Sequence, residues 1–377
     1  MKKKILIGII IIVIAALIGG FVYYLTGIKR EVVEVRKEVP IEKIEEIILP
    51  PGSLKEPSPE AITQIKDLAK ESKLLPEKIV CDPNEFVSPE GKIYLSLRGA
   101  AASTTGIYEF DVKKKELKEF LRNDVCNNFV PDFSANKEKI AFVSDCQSAQ
   151  SYIAIGKSDK TEIKKLIIAL PEKEETYKTR TIFSPDGKKI AFTLTKFRGD
   201  ILAESWQSFV VDLNGNVKLS TYGVMPLFSS DGKHLLVLKN PGIYKINLET
   251  EEIERVIELR GKDNELVLGQ INMMLSLSPD GKKLAWSNID RGEIYIFEIN
   301  SWEPFNYRLV GQIKSNAFWS SFSPDGKYLA AQEADIKEDG ASSNLRISVF
   351  ETCRFSKLFS YSLEKYNPDY LWVTEWQ

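Results

Sequence analysis

Any chemistry in this chain has to be done almost without imidazole. His234 is the one histidine among 377 residues. It falls just after the turn Ser229-Ser230-Asp231-Gly232 and is expected to be an exposed turn residue. A Ser-His-Asp or Cys-His apparatus would need it, yet nothing around it marks a nucleophile. No GxSxG, HExxH or Walker-type loop occurs. Carboxylates remain as acid–base candidates: Asp200 with Glu204, and Asp335 with Glu338 and Asp339. They are expected in loops, where solvated acids are ordinary, and their spacing matches no EF-hand. The four cysteines form no CxxC pair, so a metal site is not expected. The reading is therefore of no catalytic residues, no metal and no cofactor.

The elements that would carry these residues are set by a repeat. Phe183 to Phe192 (FSPDGKKIAF) recurs as Leu277 to Trp286 and as Phe322 to Ala331, with a near copy at Phe228 to Val237. Val87 to Ser96 and Phe133 to Phe142 are weaker versions. The serines at 88, 134, 184, 229, 278 and 323 are 45 to 50 residues apart. A period of that size marks a repeat architecture. Within each copy, Pro presets φ for a turn, Asp tolerates the next corner and Gly supplies the positive φ that closes a hairpin. Alternating apolar and polar residues follow, the period of a half-buried strand. Further β-rich runs complete four antiparallel strands per unit, for example Ser208 to Asp212 and Val217 to Ser220. Four-stranded units repeated radially make a propeller, which removes most sheet edges.

On these SPDGK turns the chain resembles the TolB-type six-bladed β-propeller family, from about Ile79 to the carboxyl terminus. The fold expected is all-β: a six-bladed β-propeller of four-stranded antiparallel blades over 79–377. The segment Tyr370 to Trp376 matches the start of a further repeat, with Trp376 in the phase of Phe183 and Phe322, and could close the ring by completing the first blade. The resemblance implies an extracytoplasmic propeller that binds a protein or peptide. It leaves as the alternative a propeller hydrolase, lactonase- or cyclotransferase-like, using acidic residues with or without a metal.

Before the propeller, residues 1–27 hold three lysines and the apolar run Ile5 to Leu25, long enough to span a bilayer as a helix. An uncleaved single-pass anchor is expected, with a cleaved signal peptide and secretion as the alternative. Residues 28–57 form a charged, proline-containing stalk. Within 58–75, Ala61, Ile62, Ile65, Leu68 and Ala69 are spaced as in an amphipathic helix. With the first lysines set aside, 48 basic residues face 53 acidic ones, a balance that excludes nucleic acid as a partner.

Hairpin geometry gives two further expectations. Cys126 and Cys146 are each ten residues from Asn136, the centre of a turn, so they lie opposite each other and could form a disulfide. Cys81 and Cys353 come from opposite ends of the propeller and could pin it shut. The SPDG turns should line one rim, and the loops between second and third strands the other. Because binding residues concentrate on variable loops, the second rim is the expected functional face. Its candidates are Asn127, Asn128, Lys178, Asn272 and Asn316 around the channel mouth, and Arg198, Asp200 and Trp206 in a long loop. Trp286 and Trp319 are expected to pack between blades.

Overall fold

The computed structural model describes residues 88–377 apart from the short stretches 100–102, 147–150, 169–175, 199–201, 240–241, 260–272, 289–291, 337–341 and 367. The expected anchor Ile5–Leu25, the stalk and the amphipathic helix lie outside these residues. Among the described residues, no helix is long and apolar enough to cross a membrane.

The strands form six four-stranded antiparallel sheets, five of them meanders of consecutive strands. Each blade has its inner strand at one edge, and the sister inner strands neighbour one another in a closed series. They are Asn127–Phe133, Thr176–Phe183, Val224–Phe228, Met273–Leu277, Ala317–Phe322 and Pro368–Trp376. The last of these pairs with Lys92–Gly99 and completes blade 1, so the first blade is built from both ends of the propeller sequence. Ile93 opposes Trp376 just as Ile190 opposes Phe183.

The repeated turn works through one hydrogen-bond set. The Ser184 hydroxyl donates to Asp186 Oδ1 at 2.6 Å and accepts from Lys189 N–H at 2.9 Å, while Lys188 N–H donates to the same carboxylate oxygen. Ser278 with Asp280 and Ser323 with Asp325 repeat it, and Ser134 uses Asn136 in the same way. Gly187 sits at φ 65°, where a Cβ would be strained. Six residues after the turn serine, Ile140, Ile190, Leu235, Leu284 and Leu329 are each 0% exposed. Ile93 matches them in blade 1. Burying each such side chain is worth about 1.5–3 kcal/mol. A single blade cannot hide both faces, so blade-to-blade packing supplies that burial.

Cys126 and Cys146 form the expected disulfide, with Cα atoms 4.0 Å apart beside the paired Asn127 and Asp145. Cys353 is disulfide-bonded; Cys81 lies outside the described residues. Trp286 and Trp319 are buried as expected.

Two expectations need correction. His234 is not an exposed turn residue but is 1% exposed. Its Nε2 lies 2.7 Å from Glu303 Oε1, and its ring stacks on Trp302, both from the next blade. Lys283, in the same phase, likewise reaches Gly326 O and Thr352 Oγ1 of its neighbour. This position bridges blades because the strand begins there, in the cleft between two sheets. Trp206 is not in a long loop. The strands Lys189–Arg198 and Leu202–Asp212 continue their pairing out to Arg198 and Leu202, because alternation persists past the blade body. Ala334 to Asn344 behaves similarly, between Tyr328–Ile336 and Ser342–Glu351.

Candidate functional site

The inner strands end at the SPDG turns, and there they enclose a cavity of about 250 Å³. One residue from each blade, two before the turn serine or its equivalent, lines it: Glu375, Asp132, Ile182, Leu227, Ser276 and Ser321 for blades 1 to 6. The ring is uneven. Carboxyls stand on blades 1 and 2, apolar side chains on blades 3 and 4, and hydroxyls on blades 5 and 6.

A recurring bulge brings in one more residue. The inner strands of blades 2, 3, 4 and 6 each break register near the fourth residue before the serine. Val130, Arg180, Met225 and Trp319 occupy that place with φ between 47° and 55°. A bulge opens the ladder and re-aims a side chain. The freed N–H groups of Val130 and Met225 are taken up by Ser96 and Thr193 of the preceding blade, so the distortion leaves no unpaired donor at either place. In blade 3 the bulged residue is Arg180. Its guanidinium enters the cavity wall, 8% exposed, and its Nη1 is buried without a hydrogen-bond partner.

Three ionisable groups thus share one poorly solvated site. Asp132 Oδ2 accepts from Phe183 N–H at 2.6 Å, which ties blade 2 to blade 3. Burial still outweighs that bond and the Arg180 charge, and pushes the Asp132 carboxyl up to about 7. Glu375 is raised well above the carboxylate range by burial and by its neighbour Asp132, which can share a proton with it. Burial draws Arg180 down to about 10, partly offset by the two carboxyls. Among the described residues no ion pair ties Arg180 to either acid. Further from the turns, Trp372 stacks on Trp319 at 4.3 Å and meets Phe129 at 6.0 Å, joining the inner strands of blades 6, 1 and 2.

The residues expected at the opposite rim are differently employed. Asn127 Oδ1 accepts from Thr105 N–H, and buried Asn128 accepts from the Ser144 hydroxyl. Asn316, at φ 51°, packs against Gly292 in the link between blades 5 and 6. Trp206 is partly buried, with Nε1 lacking a partner. Lys178 and Arg198 lie in strands, but their side chains, like Asp200 and Asn272 altogether, are outside the described residues. Of the candidate acids, Asp335 accepts from Arg346 and Asn344, which hold its carboxyl below the usual range. Glu204 lies in the strand Leu202–Asp212 rather than in a loop, with its side chain outside the described set, as are Glu338 and Asp339 altogether. Among the described residues no group of three or more His, Cys, Asp or Glu could hold a metal ion.

Sequence reasoning passed over Asp132, Arg180 and Glu375, although the repeat carried a signal for them. Aligned by the turn, Arg180 is the one charged residue in a series of Val130, Met225, Met274, Trp319 and Val373. Asp132 and Glu375 likewise interrupt Ile182 and Leu227.

No family model matches the sequence, and no curated protein sequence matches it significantly. Solved structures do match. TolB from Acinetobacter baumannii superposes with a TM-score of 0.54 at 18% identity, over 76% of this chain and 66% of that one. The chain has the fold of a TolB-type propeller. A chain of the nidogen–laminin complex also superposes, with a TM-score of 0.52 at 13% identity over 75% of this chain and 97% of that one. An oligogalacturonate lyase in complex with manganese reaches 0.46 at 13% identity, over 71% and 73%, too distant to bear on chemistry. At such identities the TolB-type likeness concerns fold, and the activity must be argued from this chain's own residues.

Proposed function

We propose that this protein is a non-catalytic binding module, a propeller held at the extracytoplasmic membrane surface by Ile5–Leu25, that engages a protein or peptide. The observation that carries this reading is the unevenness of the channel ring. Turn and core positions are nearly uniform from blade to blade, as a wheel requires. The ring position changes in kind from one pair of blades to the next, and a purely structural wheel has no use for that. The TolB and nidogen–laminin neighbours support a propeller that meets other proteins, as an analogy of fold.

A hydrolase working with acidic residues is the second reading, favoured by the Asp132–Glu375 pair. A carboxyl raised by burial beside a second one is an arrangement suited to proton transfer. The experiment separating the two uses the full-length protein in its native membrane. Photo-crosslinking residues replace Ser230, exposed at the cavity mouth, or Val125, exposed by the opposite rim. One stoichiometric partner captured from either position supports binding and identifies the face. No partner from either, together with a turnover that Asp132→Asn abolishes, would transfer the assignment to the hydrolase.

A further inference from the structure

We infer that the channel cavity is a binding site for a free α-amino acid, with Arg180 receiving the carboxylate, Asp132 and Glu375 the ammonium, and Ile182 and Leu227 an aliphatic side chain. Four observations lead there. A guanidinium and a carboxyl pair that shares a proton, and so carries one negative charge, both line one cavity of about 250 Å³. That volume lies below the usual range for drug-sized ligands and suits a small metabolite. The guanidinium has a buried Nη1 with no partner, so an acceptor is called for at that place. It is not ion-paired to either acid among the described residues, so the two charges remain available separately.

Ligands of one sign fit poorly. An inorganic anion drawn to Arg180 would leave the single negative charge of the proton-sharing pair unmatched, and a simple cation drawn to that pair would face the guanidinium. A molecule with opposite charges a few ångströms apart satisfies both ends, and each contact is a charge-assisted hydrogen bond. The wall then divides the remaining work. Blades 3 and 4 offer the apolar residues of the ring, and Met274 adds to them from blade 5. Ser276 and Ser321 lie on the polar side. The inference draws on the same uneven ring as the proposed binding role but goes beyond it, since it concerns a small molecule inside the channel and needs no partner on either rim.

Calorimetric titration of the full-length protein in detergent, supported by thermal shift, tests it. The probes are the free amino acids, then leucine amide and N-acetyl-leucine, which each lack one charge. Binding of an aliphatic amino acid is expected, weakened by about tenfold or more on blocking either end, as the loss of one charge-assisted hydrogen bond implies. Arg180→Met should bind leucine and leucine amide alike, and the double variant Asp132→Asn, Glu375→Gln should bind leucine and N-acetyl-leucine alike. Arg180→Lys, which keeps the charge, should retain the preference for a free carboxylate and serves if the methionine variant does not fold. Absence of binding by every amino acid, equal binding of blocked and free forms by the unaltered protein, or an unchanged profile in Arg180→Met would each overturn the assignment.

Discussion

Two clusters of carboxyl groups among the described residues treat the charge in opposite ways. In blade 6, Glu333 has a side chain only 4% exposed. Arg346 Nη2 donates to it at 2.9 Å, Lys357 Nζ at 2.8 and 3.0 Å, and the Ser348 hydroxyl completes the set. Burial pushes the group up, but these donors outweigh it and hold the carboxyl below its usual range. In the channel, Asp132 is buried and Glu375 partly so, yet the backbone N–H groups at Asp132 and the charge of Arg180 do not offset the loss of water, and both rise. Burial does not decide the charge of a buried acid. The number of donors within reach does, and a group left short of donors is the one able to accept a ligand.

The comparison can be broken at Glu333 first. Glu333→Ala removes the acceptor for three donors, and unfolding free energy should fall by about 2–3 kcal/mol, read as a lowered denaturant midpoint. A change smaller than that of Asp132→Asn would reverse the contrast drawn here. His234 is the intermediate case, with one ring nitrogen bonded to Glu303 and Nδ1 buried without a partner. His234→Ala should cost about 1–2 kcal/mol by losing that bond and the stacking on Trp302. His234→Gln, able to reach Glu303, should recover part of it.

The effect that is smallest per step is carried by pH, and it accumulates over several pH units. The folded-state value of Asp132 lies above its ordinary 3.8, so the folded protein holds a proton that the unfolded chain gives up. That proton favours folding below pH about 4, and its contribution is lost as pH rises toward 7. Relative to Asp132→Asn, which is neutral throughout, the unaltered protein should lose stability across this window by on the order of 1 kcal/mol per pH unit. Urea titrations of both proteins at pH 5 and pH 8 would measure it, and parallel profiles would mean the carboxyl is not strained in the fold.

Much of the architecture was legible because the repeat is local. A turn such as Ser184 to Lys189 closes on its own hydrogen bonds, and the phase of Ile190 relative to it fixes which face is buried. Ring closure by Pro368–Trp376 and the Cys126–Cys146 bond followed from the same counting. The site was less legible. Attention fell on the amides at the strand starts, and Asn127 and Asn128 proved to be engaged by Thr105 and Ser144. His234 was misplaced because its burial comes from Trp302 and Glu303, 68 and 69 residues further along the chain.

What the sequence by itself determined is the blade: its turn, its strand phases, its number and the pairing across its own hairpins. All of these depend on residues within one repeat, where spacing translates directly into geometry. Only the tertiary structure decided that Glu375, Asp132 and Arg180, from three different blades, share a cavity. Closing the ring brings the two ends of the propeller sequence together, and the bulge at Arg180 turns its side chain toward the channel. Both act over distances that no local pattern records.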